Sequence, residues 1–172
     1  KHALSVRDMS DSPFPLRPVW EPADAFWHKS YPPGVPPRID YEPLRVEELF
    51  RRAAVEFPDR PVILYFGTTW TYSKLLSHVQ TVASNLRNMG IGIGDRVMMV
   101  LPNCPEFIAV WFAIHWLGAE VVPANPLMSG NELADLAKKT KVKVAFGLDV
   151  RLKPLGQMTQ QFEVPWLVVV SL

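Results

Sequence analysis

A regular alternation of apolar patterns between Thr69 and Asn125 most constrains the fold of this chain. A helix-period stripe runs from Thr71 to Gly90, a continuous apolar run occupies residues 96–101, and a second apolar helix opens at Pro105. Uninterrupted apolar strands that alternate with helices are typical of parallel sheets covered on both faces. Because parallel strands need crossover connections, the pattern predicts an α/β fold with a partly parallel sheet and flanking helices.

Further elements are predicted on both sides of this stretch. A helix is expected over residues 44–57, and a strand at 61–66 leads through Gly67-Thr68 into a hairpin strand at 69–71. Ser129 and Glu132 have the spacing of a capping box that opens a helix over 131–139. Strands are predicted at 120–124, 142–148 and 166–172, and a helix or a loop lies between the last two.

Proline is concentrated in the N-terminal part of the chain. Eleven of the seventeen prolines lie within the first 61 positions. Since proline fixes φ and removes a hydrogen-bond donor, residues 1–43 are expected to form an extended, aromatic-rich arm that lies on a surface. Residues 44–172 are predicted to form an α/β subdomain, because a 172-residue chain that is 48% hydrophobic can bury a core.

The charge and apolar content exclude several classes of protein. Charged residues make up 20% of the chain and the net charge is +1. The chain therefore lacks the strong positive electrostatic field that would attract nucleic acid or an anionic membrane. The longest uncharged run, residues 107–119, is shorter than the ~20 residues that span a bilayer, and we interpret it as a buried helix. No signal peptide is recognised, and whether Met9 is the native start is left open.

The single cysteine, Cys104, excludes an internal disulfide framework and fits a reducing compartment. We therefore expect a cytoplasmic protein. Peripheral contact with a membrane is left open, although no anchor is encoded.

A series of consecutive landmarks resembles the AMP-forming acyl-CoA synthetases of the adenylate-forming superfamily. The series comprises residues 26–41, Phe57–Pro61, Trp70–Tyr72 with Leu75, Gly94–Val97, Leu101–Asn103 with Pro105–Phe107, and Leu117–Ala119 with Val122–Pro126. Each landmark is weak alone, but their order and spacing resemble this family across residues 26–172. The segment at 26–41 is most similar to the opening of long-chain fatty-acid–CoA ligases.

The resemblance implies the N-terminal portion of the large domain of a two-step ligase. Such an enzyme joins a fatty acid to ATP, releases pyrophosphate, and passes the acyl group from the adenylate to CoA, with Mg²⁺ as a cofactor. In the family, the phosphate loop, the adenine, ribose and Mg²⁺ motifs and the catalytic lysine follow a strand such as residues 166–172. No catalytic, cofactor-binding or metal-binding residue is therefore assigned, and this chain alone is expected to be inactive, with the remainder of the same polypeptide as its partner.

Other functions remain open at this point. The chain could be a stand-alone binding or regulatory module derived from the same fold. Within the superfamily it could belong to an aryl-acid ligase or a non-ribosomal adenylation domain. Acyl chain length and homo-oligomerisation are also left open.

Two glycine-containing segments superficially resemble phosphate-binding motifs. Gly67-Thr68-Thr69 has the composition of a phosphate loop, but it joins two short strands and is interpreted as a turn. The spacing of Gly90, Gly92 and Gly94 resembles a dinucleotide fingerprint, but these glycines follow a helix and precede a strand. We interpret them as a helix stop and a tight turn.

Two side chains in or beside the second apolar helix are candidate reactive groups. His115 has no acid or second histidine at helical spacing, so a core or interface histidine is expected rather than a catalytic one. Cys104 could have a thiol pKa lowered by the helix dipole, but we interpret it as a substitute for a capping residue.

A group of basic residues could bind CoA phosphates or lipid headgroups. Its members are Lys138, Lys139, Lys141 and Lys143, with Arg151 and Lys153 further on. No aromatic residues are interleaved and the net charge is near zero. We therefore interpret the lysines as part of a solvated helix C-terminus, where the helix dipole stabilises cations.

Overall fold

The computed structural model of the protein describes residues 26–36 and 42–171, which fall into two units divided between Pro43 and Leu44. In the first unit Phe26–Ser30 form a 3₁₀ helix, where an extended arm was predicted. Neighbouring rings favour this turn, because Phe26 and Trp27 meet edge to face with ring centroids 5.2 Å apart. The predictions for residues 1–25 and 37–41 lie outside the described residues.

The second unit begins with a helix and a hairpin and then alternates strands with helices. Its elements are α1 Val46–Glu56, β1 Pro61–Tyr65, β2 Thr68–Thr71, α2 Tyr72–Asn88, β3 Arg96–Val100, α3 Pro105–Trp116, β4 Glu120–Pro123, α4 Gly130–Thr140, β5 Val144–Leu148, α5 Leu152–Gln161 and β6 Trp166–Val170. A 3₁₀ turn, Asp149–Arg151, joins β5 to α5.

The strands form a parallel sheet and a separate hairpin. The sheet has the order β4-β3-β5-β6, and each neighbouring pair of strands is parallel. Among the residues that the structure describes, strands β1 and β2 pair only with each other, antiparallel. The predicted α/β fold with a partly parallel sheet and flanking helices is confirmed.

Helices cover both faces of the sheet, and successive residues of β3 alternate between the two cores. Val97 and Met99 lie in a core with buried residues of α1, α2 and α3. Met98 and Val100 lie in a second core with α4 and α5. All four side chains are fully buried, as the uninterrupted apolar pattern of this strand predicts.

Helix ends are fixed by capping. The Thr71 hydroxyl accepts from the Lys74 N–H at 3.3 Å, and the predicted capping box between Ser129 and Glu132 is complete. Gly90 adopts a φ of +82° after α2, with the N–H of Ile91 bonded to the Leu86 carbonyl, as in a Schellman motif.

The sequence of α1 predicts an apolar face of Val46, Leu49, Phe50, Ala53 and Ala54, and the buried face differs from it. Glu47, Phe50 and Ala54 are buried, whereas Val46 and Leu49 are 39% and 54% exposed. The orientation follows from one ring contact, because Phe50 stacks on Phe112 of α3 with centroids 4.4 Å apart. Glu47, Phe50 and Ala54 therefore lie on the face of α1 that packs against the core.

Candidate functional site

The order of the strands defines a switch point in the sheet. From β3 the chain passes through α3 to β4 at one edge, then crosses back through α4 to β5. Helix α3 packs on one face of the sheet, and α4 and α5 pack on the other. The loops after β3 and β5 therefore diverge, and in open α/β sheets ligands bind in the crevice outside the carboxyl ends of such strands. We take this carboxyl edge as the candidate site.

The carboxyl ends of β5 and β6 are joined by side chains. Asp149 directly follows β5, and its two carboxylate oxygens accept from the Val150 N–H and the Ser171 hydroxyl, each at 2.7 Å. Ser171 directly follows β6. The bond ties the ends of two neighbouring strands together across 22 residues of sequence.

Arg151 links the same edge to the loop after β4. Its Nη2 donates to the Met128 carbonyl at 2.8 Å, while its Nε is buried without a hydrogen-bond partner. In that loop the Asn125 carboxamide accepts from the Leu127 N–H at 2.9 Å. Four polar side chains thus follow three of the four strands: Asn125, Asp149, Arg151 and Ser171.

The loop after β3 ends at Cys104, which occupies the N-cap position of α3 as predicted. Its side chain makes no capping hydrogen bond, so the interpretation of Cys104 as a substitute for a capping residue is wrong, and the thiol is buried. Burial raises the pKa of the Cys104 thiol, and the neighbouring Glu106 adds to this effect. The thiol therefore stays protonated, which argues against a reactive cysteine despite its place at a helix N-terminus.

Glu106 lies in the first turn of α3, at the same edge. Its Oε2 atom is buried without a hydrogen-bond partner. A buried acceptor that is left unpaired costs free energy, so this atom is a point where a donor from a ligand or another segment would be stabilising.

These groups do not assemble a catalytic pair. The Ser171 hydroxyl contacts a carboxylate that also accepts a backbone N–H, and no histidine hydrogen-bonds to either residue among the described contacts. A serine nucleophile needs a base that is itself oriented by a third group. Among the described residues, the hydrogen bonds of this edge link the loops that follow β4, β5 and β6.

The basic residues predicted as one group are divided between opposite ends of the sheet. Lys143 precedes β5 and lies 2.6 Å from the Asp95 carboxylate, whereas Arg151 follows β5. Lys138 and Lys139 end α4, as the interpretation of a helix end requires. The group is therefore not a single binding surface.

The two glycine-containing segments occupy turns. Phe66 and Gly67 have φ values of +42° and +79° and form the tip of the β1–β2 hairpin. Gly90 and Gly94 lie between α2 and β3, with the Gly92 N–H donating to Asp95. Neither segment is a loop that leads from a strand into a helix N-terminus, so neither fits a phosphate site.

His115 is half-buried and lies against Trp111, with ring centroids 4.2 Å apart. This placement agrees with a core or interface histidine. Within residues 26–36 and 42–171, no three His, Cys, Asp or Glu side chains are grouped so that they could hold a metal ion. No helix in the described part of the chain has both the length and the apolar character needed to cross a membrane.

Sequence reasoning did not single out Asp149 or Ser171, and it considered Arg151 only as a surface cation. A usable signal was present for Asp149 and Arg151, which follow the strand predicted at 142–148, whereas Ser171 lies inside the strand predicted at 166–172. Parallel strands bring their carboxyl ends to one edge, so polar residues at those positions are expected to meet.

Comparison with known proteins identifies the family of the chain. The family model described as "AMP-binding enzyme" matches residues 50–169. The chain belongs to the AMP-binding enzyme family. The resemblance predicted from the sequence landmarks is confirmed.

The chain is similar to several CoA ligases of the AMP-binding family. It is 29% identical over 124 residues to a long-chain-fatty-acid–CoA ligase of Bacillus subtilis (strain 168), covering 72% of this chain and 22% of that protein. It is 36% identical over 113 residues to 4-coumarate–CoA ligase 2 of Oryza sativa subsp. japonica, covering 64% of this chain and 20% of that protein. The chain thus spans about a fifth of the length of these curated relatives.

A solved structure in the same group shows the same fold. A benzoate CoA ligase from Burkholderia xenovorans LB400 superposes with a TM-score of 0.69 at 15% sequence identity. The superposition covers 74% of this chain and 26% of that one. At this identity the likeness establishes the fold of the AMP-binding family alone.

Proposed function

We propose that this chain is the first α/β layer of an ATP-dependent acid–CoA ligase. Such an enzyme forms an acyl-adenylate and pyrophosphate from an acid and ATP, and then transfers the acyl group to the CoA thiol. The observation that carries the proposal is the AMP-binding family match over residues 50–169, which reaches all four strands of the parallel sheet.

The proposed acid is a fatty acid of medium or long chain. Two features support it: the similarity to the Bacillus subtilis long-chain-fatty-acid–CoA ligase and the Trp…Tyr-Pro…Val-Pro…Ile segment at residues 26–41. An aryl acid is the second candidate, because the 36% identity to a rice 4-coumarate–CoA ligase is the higher of the two.

In this proposal the chain acts as a scaffold and is inactive alone. Two observations support this: both glycine segments lie in turns, and no three His, Cys, Asp or Glu side chains are grouped to hold a metal ion among residues 26–36 and 42–171. No catalytic step is derived from them. The contribution of the chain is the carboxyl edge, where Asp149 and Arg151 hold the ends of the strands in one arrangement.

Isothermal titration of this chain with MgATP tests its proposed inactivity. We expect no saturable binding at millimolar ATP, because no backbone N–H groups converge on a phosphate position in the described loops. Tight, saturable binding would contradict the scaffold proposal.

Sequencing the transcript past the codon for Leu172 tests the proposed activity. A continuing frame with a Ser/Thr/Gly-rich loop and a lysine is expected, and its product should exchange pyrophosphate faster with fatty acids than with 4-coumarate. Faster exchange with 4-coumarate would select the aryl-acid ligase. A stop codon at that position would replace the ligase with a stand-alone module.

We also propose a cytoplasmic location, which the single buried thiol of Cys104 supports. Cell fractionation tests it. Recovery in the high-speed supernatant is expected, and recovery with membranes that is reversed by salt would show peripheral association instead.

A further inference from the structure

The 3₁₀ turn Asp149–Arg151 is hydrogen-bonded to two other segments of the carboxyl edge, one through each of its end residues. Asp149 accepts from the Ser171 hydroxyl at 2.7 Å, and Arg151 donates to the Met128 carbonyl at 2.8 Å. Ser171 follows β6, and Met128 lies in the loop between β4 and α4. The turn after β5 therefore joins the segments that follow the first and the last strand in the order of the sheet.

The two ends of this turn are fixed relative to each other. The second carboxylate oxygen of Asp149 accepts from the Val150 N–H at 2.7 Å, and the Leu152 N–H donates to the Asp149 carbonyl. A three-residue turn closed by two hydrogen bonds has little backbone freedom. A displacement of Asp149 is therefore passed on to Arg151, two residues later.

Few buried side chains stabilise the segments that the turn joins. In this chain no residue of 125–129 or 149–151 is buried, and Leu127 and Val150 are 81% and 80% exposed. Regions with few buried apolar contacts open at a lower free energy than the core does. The polar contacts of the turn are therefore a large part of what holds these segments in place.

Arg151 adds a cost to the joined arrangement. Its Nε atom is buried and has no hydrogen-bond partner among the described residues. A buried donor that is left unpaired raises the free energy of the state that buries it. Because opening of the turn would return Nε to water, this cost favours transient opening.

Tightly packed helices bound the region. Gly130 is buried at the start of α4, and a Cβ there would lie 2.4 Å from Gln157 Cβ of α5. Leu155 of α5 is completely buried. Packing of this kind opens at a higher free energy, so the exposed segments can open while α4 and α5 stay together.

We propose that the loop 125–129 and the segment at Ser171 open and close as one unit, with the turn Asp149–Arg151 as the link between them. Asp149 and Arg151 are positioning residues in this unit, because each acts on a distant segment through the other. The unit lies beside the crevice outside the carboxyl ends of the strands, so its opening changes access to the candidate site. The inference goes beyond the proposed function and applies equally to a ligase and to a stand-alone module.

Hydrogen exchange of backbone amides, followed by NMR, tests the link. Ser171→Ala removes the side-chain bond to Asp149 and leaves the turn itself intact. The Leu127 and Met128 N–H groups, which both bond to Asn125, report opening of the distant loop. In a cooperative unit the loss of one hydrogen bond appears in full at every member, so both amides should exchange about 5-fold faster. Unchanged exchange at both amides would overturn the proposal.

Ser84→Ala is the matched control for Ser171→Ala. It makes the same chemical change at an exposed residue of α2 and should leave the exchange of Leu127 and Met128 unchanged. The amide of Ala145, which is fully buried in β5, reports global unfolding and should keep its rate in both variants. Equal effects of the two alanines, or a rise at Ala145 equal to that at Leu127, would overturn a local unit.

The reverse direction supplies a second test. Arg151→Met removes the bond to the Met128 carbonyl and should speed exchange of the Val150 N–H, which bonds to Asp149, by a similar factor. Lys153→Met removes a neighbouring cation that is exposed, and it should leave the Val150 rate unchanged. Equal effects of the two methionines would show a response to charge alone and would overturn the link.

The double variant separates coupling from two independent effects. Once Arg151→Met has broken the link, Ser171→Ala should speed exchange at Leu127 and Met128 by less than ~2-fold more. Effects of the two substitutions that simply multiply would show that the segments open independently. That outcome would overturn the proposal and would leave the family and the proposed ligase activity untouched.

Discussion

The Lys143 ammonium lies 2.6 Å from the Asp95 carboxylate and joins the amino ends of β5 and β3, which are neighbours in the sheet. The other Asp95 oxygen accepts from the Gly92 N–H at 3.0 Å, so one side chain fixes both the glycine turn and the strand pair. The hydrogen bond from Lys143 lowers the pKa of Asp95, and the Gly92 N–H lowers it further.

The stability of the chain should depend on pH through Asp95. A carboxyl group whose pKa is lowered by folding stabilises the native state above its unfolded pKa of ~3.9, and this stabilisation is lost as the pH falls through the folded pKa. Asp95→Asn should lower the free energy of unfolding by about 1 kcal/mol at pH 7 and by less below pH 4. Urea titrations at both pH values measure this difference.

The exposed Glu163→Gln substitution is the control for Asp95→Asn. It removes the same charge without touching the β3–β5 ends and should change stability by less than ~0.5 kcal/mol at either pH. An Asp95→Asn effect that persists unchanged at pH 3 would contradict the ion-pair explanation.

Gly130 and Gly156 should respond in opposite directions to alanine. A Cβ at Gly130 would lie 2.4 Å from Gln157 Cβ and 2.8 Å from the Pro154 carbonyl oxygen, so α4 and α5 would have to separate. Gly130→Ala should therefore destabilise the chain by ~1–3 kcal/mol. Gly156 has open space and lies within α5, so Gly156→Ala should stabilise it by ~0.5–1 kcal/mol. Thermal unfolding of the two variants, in the same buffer, distinguishes these signs.

The backbone conformation of Phe66 should destabilise the β1–β2 hairpin. Its φ of +42° is a left-handed conformation that a bulky residue rarely adopts, and its side chain is 92% exposed. Asparagine tolerates this conformation at the tip of a two-residue turn that continues with Gly67. Phe66→Asn should raise the free energy of unfolding by about 1 kcal/mol, and Phe66→Val should lower it. Chemical denaturation checks both signs, and a stabilising valine would contradict the strain argument.

The Cys104 thiol should react slowly in the folded chain. It is buried, and burial raises its pKa, so little thiolate is present or accessible at neutral pH. Reaction with Ellman's reagent at pH 8 should be at least ~10-fold slower than in 6 M guanidinium, where the same thiol is free. Equal rates in the two conditions would show that the loop after β3 is open.

The sequence predicted the elements with strong local signals. Three such signals are Pro105 at the start of α3, Gly90 after α2 and the pair Ser129–Glu132. Each acts on its immediate neighbours, so its effect can be predicted without knowing the tertiary structure. For α5 the sequence allows a helix or a loop, because Pro154 and Gly156 lower its intrinsic helix propensity and Arg151 offers no side-chain cap. Packing decides it, since Leu155 and Met158 are completely buried.

The C-terminal end of α4 is a second feature that the local sequence does not predict. It closes on Lys141 at a φ of +53°, where the pattern of the other helices would place a glycine. The Val142 N–H bonds to the Ala137 carbonyl, and Val142 is 2% exposed, so the chain enters β5 by the same route without the usual signal. Burial of Val142 stabilises a turn that the local sequence does not favour.

The sequence by itself determined the α/β class, the buried strand at residues 96–100 and the family. The hydrophobic periodicity, the helix-capping residues and the order of the family motifs can all be read along the chain. The tertiary structure decided which strands are neighbours, and therefore that β3 lies between β4 and β5. From that order follows the meeting of Asp149 with Ser171. Such contacts join residues far apart in the chain, and no local pattern encodes the choice between alternative strand orders.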